Sequence, residues 1–139
     1  MDDIILEIEK FLKERNWDRL SVSDVAKSIS IEAAELLELF QWGNYGVEDA
    51  KKDKAKMKEI EMELADVLIY TLDMARLLGI DPKKAIKEKL EYNAEKYPVE
   101  LVKNARNKEK DGGSAERAYY EIKQKYRSGE STQKPNSKK

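Results

Sequence analysis

Two residue types are missing from this chain altogether. It has no cysteine, which excludes disulfides, thiolate metal sites and cysteine nucleophiles. It has no histidine, which excludes imidazole acid–base catalysis and histidine-ligated zinc. Any metal the chain holds must sit among oxygen donors, and the ions that prefer those are Mg²⁺, Mn²⁺ and Ca²⁺. Proline and glycine are scarce, three and six in 139 residues, so few points interrupt a helix. Charges break every apolar stretch within a few residues. Neither a signal peptide nor a membrane span is expected, and the default location is the cytoplasm.

What is abundant is charge, 40% of all residues, with a net of only −1. That balance hides an asymmetry. Residues 1–102 carry 16 Lys/Arg and 23 Asp/Glu, a net of −7, whereas residues 103–139 carry 11 and 5, a net of +6. An acidic body with a basic tail is not the pattern of a nucleic-acid-binding domain, because the part able to fold is the acidic part. Nucleic acid is therefore not the expected partner, although the tail suits a weak electrostatic tether to one.

Apolar residues recur at the helical period nearly throughout, and no strand-like alternation survives inspection, so the fold class is all-α. Asp2 to about Glu14 places Ile4, Ile5, Ile8, Phe11 and Leu12 on one side of a first helix. Ser21 with Asp24 three residues later fits a capping box and starts a second, running to about Phe40. "QWGNYGVEDAKKD" reads as loop. A long third helix spans roughly Lys54 to Leu78 and stops at Gly79. Asp81-Pro82 opens a fourth, which ends before Pro98. "NKEKDGGS" is a break, "AERAYYEIKQKYR" suits a further helix, and "SGESTQKPNSKK" reads as disordered. The predicted domains are 1–104, a helical bundle, and 105–139, a basic polar extension that is partly helical or disordered.

Chemistry concentrates on two helices. "IEAAELLELFQW" holds Glu32, Glu35 and Glu38 at three-residue intervals, so these like charges are neighbours on one helix side and repel. "ELADVLIYTLDMARLL" is apolar around most of its circumference, which predicts a place in the middle of a bundle. Yet Glu59, Glu63, Asp66, Tyr70 and Asp73 all fall in one narrow strip along it. A buried carboxylate without a partner costs about 3–5 kcal/mol, so the strip calls for a metal cation or a basic partner. Glu32/Glu35 and Glu63/Asp66 are each i, i+3 pairs. Packed face to face they gather four carboxylates around one point, a donor set that suits Mg²⁺ completed by water and phosphate oxygens. In a chain this charged, either pair alone is also what a solvated surface produces. Two pairs on consecutive predicted helices say more.

In this order "EAAELLELFQW", "ELADVLIYTLDMARLLGID" and "KLEYNAEKYPV" resemble the MazG-like all-α nucleoside triphosphate pyrophosphohydrolases, and within them the dCTP-pyrophosphatase branch. The resemblance covers about residues 1–100. It implies a four-helix-bundle-type fold assembled as a homodimer or a dimer of dimers. It implies Mg²⁺, or Mn²⁺, held by Glu32, Glu35, Glu63 and Asp66, with Glu38 or one of the four as proton acceptor. The implied reaction is hydrolysis of a (deoxy)nucleoside triphosphate to its monophosphate and pyrophosphate, as house-cleaning of the nucleotide pool with a dCTP-like preference. Lys89, Asn93 and Lys96, one face of the fourth helix, resemble phosphate- and nucleotide-contacting residues. Tyr70 would reach the sugar or a phosphate, and Trp17 and Trp42 would line the base pocket. Each of these also has a plain reading as a solvated or packing residue.

Two departures from the family pattern matter. Relatives of the eukaryotic type carry a histidine shortly after the first tryptophan where this chain has Ser21, which leaves base and sugar preference open. Apart from specificity, Asp73 stands where the family usually has an apolar or small residue, and it reads either as paired with a basic side chain or as an extension of the acidic site. Competing readings are a dUTPase-like hydrolase of the same fold group, a non-catalytic helical interaction or regulatory module, and a calcium-buffering bundle without turnover. The last two give no reason for carboxylates on a largely apolar helix beside Lys89, Asn93 and the tryptophans.

Overall fold

A computed structural model describes residues 1–100 and 113–129 of the protein. Among the described residues there is no strand. The helices are α1 (Asp2–Glu14), α2 (Val22–Glu38), α3 (Val47–Lys52), α4 (Lys54–Leu78), α5 (Pro82–Lys96) and α6 (Gly113–Ser128). The predicted break "NKEKDGGS" and the terminal "SGESTQKPNSKK" lie almost wholly outside the described residues.

Local chemistry sets the ends. The Ser21 hydroxyl accepts the Asp24 amide at 3.1 Å and donates to the Asp24 carboxylate at 2.7 Å, so one side chain closes the start of α2. That bond, and Lys27 at 3.0 Å, hold the Asp24 carboxyl below the usual carboxylate range. Asp53 caps α4 by accepting the Lys56 amide at 3.0 Å. At its other end Gly79 turns to φ +65°, and the Ile80 amide returns to the Ala75 carbonyl at 2.9 Å. α3 corrects the sequence reading, which made Gln41–Asp53 loop. Six residues are too short to show a period, but Glu48 and Asp49 at its start and Lys51 and Lys52 at its end match the helix dipole.

The chain divides into two compact units, Met1–Lys83 and Lys84–Lys139. In the first, α2 lies along α4 as the most extensive helix contact, and α1 and α3 also pack on α4. Ile8 and Leu12 of α1, Val25 of α2 and Ala75 of α4 form a thin buried core. Its own chain does not enclose α4. Only Asp73 and Ala75 of α4 are buried, while Leu64 and Leu68 are 46% and 51% exposed. Its neighbours cover one side and leave an apolar side bare.

In the second unit the rest of α5 meets α6 through aromatic rings. Tyr97 stacks on Tyr119 at 5.4 Å, Tyr92 meets Tyr126 edge-on at 5.8 Å, and Ile122 is buried. Burial and the Tyr92 hydroxyl push the Tyr126 phenol upward.

Candidate active site

Glu32 comes from the middle of α2, and Glu63 and Asp66 come from α4, one turn apart. Packing of α2 along α4 brings one carboxylate oxygen of each within 4.8 Å of the other two, all three half-buried. Partial burial, then the charges of Glu35, Asp66 and Glu63, push the Glu32 carboxyl above the usual range. Among the described residues no lysine or arginine lies within ion-pair distance of the trio. The lysines at the start of α4 are engaged elsewhere, Lys56 with Glu59 and Lys58 with Glu61, each at 3.4 Å.

The same strip of α4 ends differently. Asp73 is 3% exposed, and Arg76 donates to its Oδ1 from Nε at 2.9 Å and from Nη2 at 2.7 Å. Arg76 also reaches Glu9 of α1 at 3.8 Å. Glu9 in turn accepts Lys13 at 2.7 Å, the main reason its carboxyl lies low. The most deeply buried carboxylate thus has its own cation, and the three shallower ones have none. Arg76 was missed from the sequence, although its i, i+3 spacing from Asp73 was a signal available there.

The trio fits a divalent ion by the chemistry of its donors: three hard oxygens, close together and unneutralised. Two oxygens on one Mg²⁺ at about 2.1 Å can stand at most about 4.2 Å apart, close to the 4.8 Å within which these three lie. Glu35, one turn after Glu32, is exposed and is not among the three; it contributes negative charge. Glu38, the last residue of α2, is also exposed. Tyr70 is half-buried one turn beyond Asp66.

Aromatic residues border the ends of α2. Trp17, 56% exposed, meets Phe11 edge-on at 6.3 Å. Trp42 is 91% exposed in the loop Phe40–Tyr45, which curves around an open hollow. Tyr45 packs edge-on against Phe40 at 6.2 Å, with the Lys56 ammonium 5.9 Å from its ring. Gly43 leaves room for that ring, since a Cβ there would come within 2.6 Å of it.

Lys89, Asn93 and Lys96 lie in the second unit. Lys89 is exposed with its ammonium 4.5 Å from the Tyr92 ring, and Asn93 is half-buried. Lys96 sits over two rings, Tyr126 at 4.8 Å and Tyr97 at 5.3 Å.

The model of the MazG-like family matches residues 27–113, a span that includes all three clustered carboxylates. Among curated proteins, the chain is 30% identical over 110 residues to dCTP pyrophosphatase 1 of Rattus norvegicus, covering 76% of this chain and 63% of that protein. With dCTP pyrophosphatase 1 of Homo sapiens it shares 29% over 113 residues, 78% and 65% of the respective lengths. The chain thus spans just under two thirds of these relatives. The crystal structure of a pyrophosphatase from Archaeoglobus fulgidus superposes with a TM-score of 0.64 at 39% identity, over 70% of this chain and 92% of that one.

Proposed function

The chain belongs to the MazG-like family, and on that premise we propose that it is a nucleoside triphosphate pyrophosphohydrolase, acting on dCTP or a close deoxynucleotide and releasing the monophosphate and pyrophosphate. Its similarity to dCTP pyrophosphatases and to a solved pyrophosphatase supports that reaction class. The observation that carries the reading is the unneutralised trio Glu32, Glu63 and Asp66. Three converging carboxylates repel one another and also repel a triphosphate, so alone they weaken binding of the very substrate proposed. With a divalent cation between them they become its anchor. Such an ion, Mg²⁺ by preference or Mn²⁺, would polarise phosphate oxygens and offset developing negative charge. Glu35, whose charge reaches Glu32, would be its fourth carboxylate.

The other roles follow from position. Glu38, exposed and one turn beyond Glu35, takes the proton of the attacking water as the bond between the α- and β-phosphates breaks. Tyr70, one turn from Asp66, donates its hydroxyl to the sugar or a phosphate. Trp17 and Trp42 offer ring faces to the base, a use that accounts for large aromatics left so exposed. Lys89, Asn93 and Lys96 are proposed to contact phosphates. The enzyme works in the cytoplasm as a homodimer or dimer of dimers, which covers the apolar sides of α2 and α4. Among the described residues no helix is long and apolar enough to cross a membrane.

The test is release of pyrophosphate and monophosphate from the common dNTPs and NTPs, with dUTP and dUDP included, in Mg²⁺, in Mn²⁺ and in EDTA. Metal-dependent pyrophosphate release, fastest with dCTP, is the expected result. Release of single phosphates, or turnover unchanged by EDTA, overturns the reading.

A further inference from the structure

The second unit carries a surface that the hydrolytic reading does not use. Residues 84–139 hold 15 Lys/Arg and 9 Asp/Glu, a net of +6, against 12 and 19, a net of −7, in residues 1–83. The acidic excess lies within residues 1–83, residues 84–102 balance, and the basic excess lies beyond them. Five of the seven tyrosines, Tyr92, Tyr97, Tyr119, Tyr120 and Tyr126, lie on the basic side.

On α6 these features are ordered. At about 100° per residue, Tyr119, Tyr120, Lys123 and Arg127 fall within one third of the helix circumference, along about 12 Å of its length. Glu121 lies on the opposite side of the helix, Ile122 turns to the buried side, and Gln124 and Tyr126 border the sector. Tyr119 and Tyr120 are 43% and 54% exposed, and Lys123 and Arg127 are exposed or half-exposed. One face of Tyr119 rests on Tyr97 at an interplanar angle of 17°, and Tyr120 meets Tyr119 edge-on at 5.5 Å. The Lys123 ammonium stands 5.4 Å from the Tyr119 ring. Tyr119 is braced by Tyr97 and Tyr120, both α6 rings keep exposed surface, and the Lys123 ammonium stands beside Tyr119.

We propose that this face of α6 binds single-stranded nucleic acid, with Tyr119 and Tyr120 stacking on unpaired bases and Lys123 and Arg127 contacting backbone phosphates. Braced aromatic rings beside cations are the means by which such strands are held without sequence preference. A duplex, whose bases are already stacked, has nothing to offer the rings. An anionic membrane would want apolar side chains where this face has only tyrosines. The acidic charge that argues against nucleic acid belongs to the first unit, whereas α6, the helix expected from "AERAYYEIKQKYR", lies in the basic part.

The test uses the full chain and fluorescence anisotropy of a labelled 20-nucleotide oligothymidine in EDTA, so that binding at a metal-dependent nucleotide site does not contribute. Expected is saturable binding that weakens as salt rises. Tyr119→Leu with Tyr120→Leu should reduce affinity at least about tenfold while leaving the salt dependence unchanged. Lys123→Gln with Arg127→Gln should reduce affinity and flatten the salt dependence. The four side chains are exposed, and unchanged far-UV circular dichroism confirms that the variants fold. No binding at low salt overturns the proposal. So does binding indifferent to the tyrosine pair, or equal affinity for duplex or for phosphatidylserine vesicles.

Discussion

At the residue scale the molecule separates carboxylates that carry their own counter-charge from those that do not. Asp73 is enclosed and doubly hydrogen-bonded by Arg76. Arg76→Met should cost about 3 kcal/mol, read as a fall in the urea midpoint, because it strands a buried charge; Asp73→Leu in the same chain should recover most of the loss. Glu32 is the opposite case. Its carboxyl is raised by partial burial and by Glu35, Asp66 and Glu63, so the folded metal-free protein binds a proton there more readily than the unfolded chain does. Stability must then fall as pH rises from 4.5, the ordinary value, through the raised one, and that loss persists above it. Asp24 and Glu9 run the other way, their lowered values giving stability that is lost as pH falls. Glu32→Gln should therefore melt higher than the parent at pH 8 in EDTA and lose the melting gain that Mg²⁺ gives the parent, checked by differential scanning calorimetry. Asp66→Asn should behave alike, with turnover down at least about a hundredfold and the helical spectrum intact. A mutant that melts lower in EDTA, or one still active, would remove that residue from the site. Trp42, at 91% exposure, gives a cleaner probe of specificity than of fold. Trp42→Ala should shift stability by less than about 0.5 kcal/mol yet raise KM about tenfold, by the worth of base–aromatic stacking.

At the scale of elements, the signals that end helices were legible and the signals of short elements were not. Ser21, Gly79 and Asp81-Pro82 marked boundaries that the structure places within a residue or two, because each acts through its own backbone chemistry. The helix after the family span was also visible in the spacing of "AERAYYEIKQKYR". α3 was invisible because a helix shorter than two turns has no periodicity to read. The pairing of α2 with α4 was legible through their carboxylates, two repelling i, i+3 pairs on helices read as neighbours, and α2 does lie along α4. Which three of the four converge was not legible. It depends on the rotation of α2 against α4, and one step of helical phase decides whether Glu35 faces α4 or solvent. Nor was the pairing of Asp73, which takes a cation from its own helix. Gly79 yields a prediction at this scale. Its φ of +65° is unfavourable for any L side chain, although a Cβ there would meet nothing within 4 Å. Gly79→Ala should thus cost about 1–2 kcal/mol through conformation alone, measured by urea unfolding, with no loss of packing and no change in KM.

At the scale of the whole molecule, the feature to be explained is how little of α4 one chain buries. A helix with Leu64, Val67, Leu68, Leu72, Ala75 and Leu78 on its apolar sides belongs in an interior. Yet Leu64, Leu68 and Leu78 stand about half exposed, as do Ile31 of α2 and Met62 of α4, and Leu37 of α2 is 68% exposed. A thin core of Ile8, Leu12, Val25 and Ala75 is small for a unit of 83 residues. Scattered apolar side chains need no explanation, but Leu64, Leu68 and Leu78 share one side of α4, and such an apolar side is one that water disfavours. The sequence was right that α4 is apolar nearly all round; what it did not say is that a single copy leaves that side bare. A second copy of the chain is the simplest cover, and it would add the area on which a stable dimer rests. The proposed homodimer or dimer of dimers therefore predicts more than a mass. Leu64→Lys with Leu68→Lys should disturb the lone chain little, because each side chain is about half exposed there and a lysine stem can cover the same neighbours. The same pair should convert a dimer into monomers in sedimentation equilibrium, and lower the melting temperature by removing the coupling of folding to assembly. If the double variant keeps the parent's mass and melting temperature, α4 is covered by something other than its twin, or the assembly uses another face.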